Sequence, residues 1–292
     1  MCAIGVFDGV HLGHRALLDA LVDDAVNRGG VAIVVTFDCD PDELFCPAKV
    51  HKLLSNEERI KALETAVGDV LVLSFTKELA SWDYGEFLDY LRKRLPDLSA
   101  IHVGDNFRCG ARALGGISEI TAWGNKHDIT VNAHSLLIDE GAPVSASRIR
   151  SLLAKGDVEG AAALLGYRFA LTGRVTQGAG RGAGLGFATA NIEIDGSLAI
   201  MGPFVYAAYA VLDDVRYKAA VSIGEPPTFS PESCVFNPFY FEAHILDFER
   251  DLYGQELRLE FVKSLRPMQR FESREELVAT VMGNINWVRE NL

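Results

Sequence analysis

Two histidines, His11 and His14, stand three residues apart in GVFDGVHLGHRALL, directly after a glycine-bearing turn that closes a short apolar run. Gly5, Gly9 and Gly13 let the chain turn tightly and let a ligand approach the backbone, while the helix that follows offers free N–H groups and the positive end of its dipole. Imidazoles beside such donors suit phosphate oxygens, above all in a transition state that gathers negative charge. The competing reading is that Asp8 caps the helix and both histidines only pack or face water; spacing alone leaves both readings standing. An HxGH pair gains meaning from the strand before it and the helix after it.

Four further groups have residue types suited to chemistry. Asp105 and Arg108 lie in a loop after an apolar strand, where doubly wound folds place ligands and where Asp and Gly also make plain turns. Ser147, Arg148 and Arg150 open a short helical segment, SRIRSLLAKG, in which arginines commonly form weak surface ion pairs. GRVTQGAGRGAGLGFATANI holds Gly178, Arg181 and Gly186 in a backbone able to fold over phosphates, although it lacks the GK[ST] ending of a P-loop and its composition also suits a linker. Glu242 sits on an alternating strand, FEAHILDF, where the ordinary expectation is an outward carboxylate.

The positioning elements change character along the chain. CAIGVF, VAIVVTF, VLVLSF and SAIHVG read as short buried strands between helical periods. Leu17, Leu18, Leu21, Val22 and Ala25 share one helical face, and SNEE predicts a capping box in which Ser55 and Glu58 exchange bonds. A parallel sheet with helices on both faces is the economical solution. After two short helical segments the period switches near residues 165–170 to strands joined by Gly, Pro and Asp turns, closed by a helix near Glu275 to Arg289; this predicts a small antiparallel barrel.

Bulk properties narrow the partners. A chain of 292 residues with formal net charge −12 repels polyanions at long range, which argues against general nucleic-acid or anionic-membrane binding. Five scattered cysteines fit a reducing compartment, and the nearest metal-like trio, Cys39, Cys46 and His51, does not have the spacing of a structural zinc knuckle. No signal peptide or membrane span is visible, so a cytoplasmic location is expected. Only one strand-length precedes the first turn, which leaves open whether an upstream segment lies outside this chain.

GVFDGVHLGHRALL resembles the opening signature of the bifunctional bacterial riboflavin kinase/FAD synthetase family, and TFDCDP, VGDNFRCG and VSASRIRSLLAKGDVEGAAALLG follow in the family's order. GLGFATANI, VSIGEPPTF, FEAHILDFERDLYGQELRLEF and SLRPMQRFESREEL extend the likeness through the second half. The resemblance implies an α/β chain: a Rossmann-like nucleotidyltransferase domain over residues 1–166, then a riboflavin-kinase-like β-barrel with a C-terminal helix over residues 167–292. It implies phosphorylation of riboflavin to FMN and adenylylation of FMN to FAD with release of pyrophosphate, with ATP and Mg²⁺ required and no obligatory protein partner.

By the same resemblance His11, His14 and Arg150 act on the ATP phosphates, with Ser147 and Arg148 beside them, and Gly5, Phe7, Asp8, Gly9 and Gly13 form the nucleotide turn. Asp105 and Arg108 line the substrate loop. Gly178, Arg181 and Gly186 meet the second ATP, Thr189 and Asn191 position it with Mg²⁺, and Glu242 is the base at the riboflavin 5'-hydroxyl. This chain departs from the family pattern at Asn106, Ala183, Ala188, Ser222 and Pro226. Loss of arginine at 183 and 226 makes an adenylyltransferase with an impaired kinase half the runner-up, and a non-catalytic flavin- or nucleotide-binding regulator the third reading.

Overall fold

The computed structural model describes residues 1–46, 51–177, 187–224 and 240–292. They pack as two units, Met1–Ala146 and Ser147–Leu292.

The first unit runs β1 (Cys2–Ile4), α1 (Leu12–Asn27), β2 (Ile33–Phe37), α2 (Pro41–Phe45), α3 (Asn56–Val67), β3 (Asp69–Leu73), α4 (Lys77–Ser81), α5 (Tyr84–Arg94), β4 (Ala100–Gly104), α6 (Ile117–Lys126) and β5 (Thr130–His134), then a hairpin of β6 (Ile138–Asp139) and β7 (Ala142–Pro143). The five long-range strands are parallel in the order β3-β2-β1-β4-β5. Strand order therefore reverses between β1 and β4, and the loop after β1 opens at that switch point, where open α/β sheets bind ligands.

Both sheet faces are covered, as the near-continuous apolar strands require. Ala3, Val34 and Ala100 pack with Leu17, Leu18 and Leu21 of α1 and Leu63 of α3. Ile4, Val35, Ile101 and Val103 pack on the other face with Phe87, Leu88 and Leu91 of α5 and Ile120 and Trp123 of α6. The capping box of Ser55 with Glu58 is present, and Asp83 with Glu86 forms another.

The second unit contains α7 (Ala146–Ala154, opening at the boundary), α8 (Val158–Leu165), β8 (Ala170–Thr176), β9 (Ala190–Ile194), β10 (Phe204–Leu212), β11 (Val215–Gly224), β12 (Tyr240–Ile245), β13 (Glu256–Pro267) and α9 (Arg274–Asn291). Six strands close in the order β10-β11-β12-β9-β8-β13, every neighbouring pair antiparallel. Inward residues such as Val175, Ile192, Phe241, Ala243 and Phe261 fill the barrel. α9 lies against its outside, where Ile285 and Val288 pack with Phe187, Ala207 and Leu246.

Two sequence expectations are modified. β9 is a strand at ANIEI (Ala190–Ile194), whose start was read from sequence only as the end of a glycine-rich loop. The packing division falls at 146/147, whereas the change of period falls near 165–170, because α7 and α8 lean on the barrel: Gly202 N–H donates to the Leu153 carbonyl at 2.9 Å and Lys263 pairs with Glu159 at 3.1 Å. Gly156, between the two helices, has φ +80° and lies so close to the Phe204 ring that an added Cβ would stand 2.7 Å from it. Gly156→Ala is expected to lower stability by about 1–3 kcal/mol through combined strain and clash, read as a reduced urea midpoint.

Candidate functional site

The turn between β1 and α1 holds positive φ at Phe7 (58°), Gly9 (74°) and Val10 (37°). Two of these are non-glycine residues, and such backbone strain concentrates at ligand sites. The turn delivers His11 to the N-cap of α1, where Nδ1 accepts the His14 N–H at 3.3 Å. The two imidazoles stack with centroids 3.6 Å apart at 15°, and the Phe7 ring meets His14 edge-on at 5.3 Å. His11 is buried, and the buried Nδ1 of His14 has no hydrogen-bond partner. Gly13 makes room beside the stack: a Cβ there would stand 3.2 Å from the His11 ring, a tight contact.

Asp8 therefore is not the cap. Its buried carboxylate turns inward and accepts the Leu53 N–H at 2.9 Å. The sequence reading also missed Arg59, which follows the capping box of α3 and is 1% exposed. Its Nη1 donates to the Val6 carbonyl at 2.9 Å and to Thr36 Oγ1 at 2.6 Å, and its Nη2 to the Phe37 carbonyl at 2.7 Å. A helical arginine among charged neighbours reads as solvated; only the i, i+4 spacing to the buried Leu63 hinted at an inward face.

Asp105 and Arg108 are exposed in the loop after β4, and with Asn106 and Glu119 they border a cavity of about 380 Å³. The Asp105 N–H donates to the His134 carbonyl at 2.9 Å, and Arg108 Nη1 reaches the Ala113 carbonyl at 3.5 Å. Ser147, Arg148 and Arg150 lie on the first turns of α7, with Arg150 Nη2 donating to Ser147 Oγ at 3.4 Å.

In the second unit Glu242 is indeed the outward residue of its strand, yet that outward face is roofed by α9. Between them lies a cavity of about 230 Å³ bordered by Thr189, Ser222, Glu242, Arg266, Phe271 and Ile285 among others. Barrel register aligns Asn191 opposite Glu242 and Glu242 opposite Ser222, so three polar side chains share one face across β9, β12 and β11. Tyr240 OH donates to Glu242 Oε1 at 2.7 Å. Thr189 also borders a second cavity of about 340 Å³ with Phe248, Arg250 and Tyr253. Gly178, Arg181, Gly186, Ala183 and Pro226 lie outside the described residues.

Comparison with known proteins matches both halves separately. Residues 1–148 fit the family model for FAD synthetase, and residues 165–292 fit that for riboflavin kinase. The bifunctional riboflavin kinase/FMN adenylyltransferase of Pseudomonas fluorescens is 32% identical over 287 residues, spanning 98% of this chain and 90% of that protein. The chain belongs to the bifunctional riboflavin kinase/FMN adenylyltransferase family. The Escherichia coli (strain K12) relative is 32% identical across 98% of this chain and 91% of its own, and the Bacillus subtilis (strain 168) relative 29% across 96% and 88%. A crystal structure from Streptococcus pneumoniae, described as a macrolide-efflux protein, is 26% identical with a TM-score of 0.87, covering 100% of this chain and 94% of that one. No helix among the described residues of this chain is long and apolar enough to cross a membrane.

Within the family pattern, Ala188 stands where proline is usual, and its carbonyl still accepts a hydrogen bond from His244 Nδ1 at 2.8 Å. Ser222 in place of asparagine keeps a polar group on the row beside Glu242. Among the described residues no three His, Cys, Asp or Glu side chains converge as a metal site. The hydroxyl of Thr189 and the amide oxygen of Asn191 are instead hard oxygen donors of the kind that share Mg²⁺ with phosphates.

Burial lowers His11 from 6.5 to about 4, and burial followed by the neighbouring His11 charge pushes His14 well below 6.5. Both rings are therefore neutral near pH 7. A histidine depressed in the folded state is protonated first in the unfolded chain, so stability falls as pH drops from about 6.5 towards about 4. His11→Gln is expected to flatten the dependence of unfolding free energy on pH across that window, measured by urea titrations, while lowering the whole curve by about 1 kcal/mol through loss of the cap.

Proposed function

We propose that this chain makes FAD from riboflavin in two ATP-dependent steps, one in each unit. The carrying observation is the stacked, partly orphaned imidazole pair at the mouth of α1, placed at the switch point of a parallel sheet. A phosphate oxygen of FMN attacks the α-phosphorus of ATP, the bond from that phosphorus to the bridging oxygen breaks, and pyrophosphate leaves. The chain supplies no nucleophile. Because Nδ1 of His11 accepts a backbone N–H, the proton of the neutral ring is on Nε2, which becomes a donor to phosphate oxygen. His14 and the backbone of Gly9 to Gly13 complete the cradle, and Asp105 and Arg108 hold the flavin nucleotide. Ser147, Arg148 and Arg150 are assigned to the same triphosphate from their motif.

In the second unit Glu242 accepts the proton of the riboflavin 5'-hydroxyl as that oxygen attacks the γ-phosphorus of a second ATP, and ADP leaves. Tyr240 occupies Oε1 and orients the carboxylate so that Oε2 receives the substrate. Thr189 and Asn191 hold Mg²⁺, which neutralises phosphate charge when bound. Gly178, Arg181 and Gly186 are assigned to that ATP by resemblance. The free thiols of Cys2, Cys39, Cys46 and Cys109 support a reducing, cytoplasmic setting.

Riboflavin with ATP and Mg²⁺, and separately FMN with ATP and Mg²⁺, followed by chromatography of FMN and FAD, tests the assignment. Formation of both products is expected; FAD from added FMN alone would identify an impaired kinase half. Glu242→Gln should reduce FMN formation by about a hundredfold or more with FAD synthesis from FMN retained, and His14→Ala should do the reverse. Equal loss of both reactions in folded variants would defeat the division of labour.

A further inference from the structure

Oxygen atoms on the β1–α1 turn and on the end of β2 threaten a polyanion site, since carbonyl and carboxylate oxygens repel phosphate. In this unit they are drawn inward by one segment. Leu53 N–H holds the Asp8 carboxylate, and the Arg59 guanidinium holds the carbonyls of Val6 and Phe37. Thr36 bridges the two strands' ends: its hydroxyl accepts from Arg59 at 2.6 Å and donates to the Val6 carbonyl at 3.4 Å. Asn56 Oδ1 takes a further Arg59 bond at 3.4 Å, so the guanidinium is fixed from its own helix as well.

A guanidinium this deeply buried carries a desolvation penalty that an apolar side chain of similar volume avoids. It touches the ends of β1 and β2 on the sheet's ligand edge and holds the residue immediately before the strained turn. We propose that Arg59, with Thr36, is a positioning residue for adenylyl transfer: it turns the loop carbonyls away from the ATP phosphates and fixes the backbone behind the turn that carries His11 and His14. This rests on reading the mouth of α1 as the ATP site.

The role predicts a selective loss. Arg59→Met should raise both KM for ATP in FAD formation and the Kd for ATP measured by calorimetry without FMN, each by about tenfold or more. KM for FMN and the rate of riboflavin phosphorylation in the same protein should stay within about twofold. Arg59→Lys keeps the charge and can donate to one of the two carbonyls but lacks the fork, and should recover part of the ATP affinity. Thr36→Val removes the bridging hydroxyl at nearly constant volume and should shift ATP affinity in the same direction by a smaller factor. It carries the test if Arg59→Met fails to fold.

A merely structural arginine gives a different pattern: a lower Tm and a lower active fraction at unchanged KM. That pattern, or Thr36→Val with wild-type ATP affinity at unchanged Tm, would overturn the proposal. A wild-type protein that binds ATP but forms no FAD from FMN would instead strike the functional reading, with the effect of Arg59→Met on ATP affinity still deciding the clamp.

Discussion

The N-terminus of α1 is closed by an imidazole rather than by the Ser, Thr, Asp or Asn usual at that position. The bond from the His14 N–H to His11 Nδ1 does three things at once. It satisfies one of the helix's unpaired donors, it sets which ring nitrogen carries the proton, and it brings the two rings into a stack that buries them. Every chemical property of the site follows from that constraint. Burial makes the rings neutral, so their contribution to anion binding is a directed N–H rather than a free charge. The small residue at position 13 gives the stack room, since a Cβ there would press on the His11 ring at 3.2 Å.

Neutral imidazoles in a chain of net charge −12 leave the attraction for polyphosphate to other sources. The helix dipole and backbone donors supply part of it, within the first turn. Arg59 draws the Val6 carbonyl inward behind the turn, and the Leu53 N–H does the same for the Asp8 carboxylate. The second unit solves its own problem differently. Glu242 faces outward by the alternation of β12 and borders a sheltered cavity because α9 covers that outer face of the barrel. A cavity on the outside of a barrel needs a covering element, and α9, with Ile285 and Val288 turned to the barrel, supplies it.

Much of this was legible in the chain. The parallel sheet followed from buried runs such as VAIVVTF, whose observed strand is the narrower Ile33–Phe37, and the capping box at Ser55 and Glu58 was fully specified by local spacing. The histidine pair was visible because HxGH stands between a strand and a helix, whereas Glu242 was singled out by the likeness of FEAHILDF to the family pattern and read by period alone as an outward carboxylate. What stayed hidden depends on contacts between distant segments. Asp8 looked like a cap because it precedes a helix, but Leu53, far along the chain, claims its carboxylate. Arg59 drew no reading because its partners lie far along the chain, Val6 after β1 and Thr36 and Phe37 at the end of β2. β9 was masked by the glycines before it, and its pairing to β8 and β12 decides its state.

A site built on one helix terminus requires that the helix itself not shift, and α1 is held at both ends. At its far end Asp24 Oδ2 meets Nε2 of the buried His102 on β4 at 3.1 Å, while Nδ1 of His102 meets Nε2 of His134 on β5 at 2.9 Å. Asp24 also pairs with Arg28 at 2.7 Å. The helix spans sixteen residues, about 24 Å at the usual rise, so a small rotation about a loose C-terminus would carry the imidazoles well off target. His102 is buried between the half-buried Asp24 and His134, and burial accordingly lowers both His102 and His134. The same network ties α1 to the two strands on one side of the switch point, whereas Arg59 ties the turn to β2 on the other. The mouth of α1 is thus fixed from both sides of β1, and preorganised donors of that kind stabilise developing phosphate charge without rearranging when it appears.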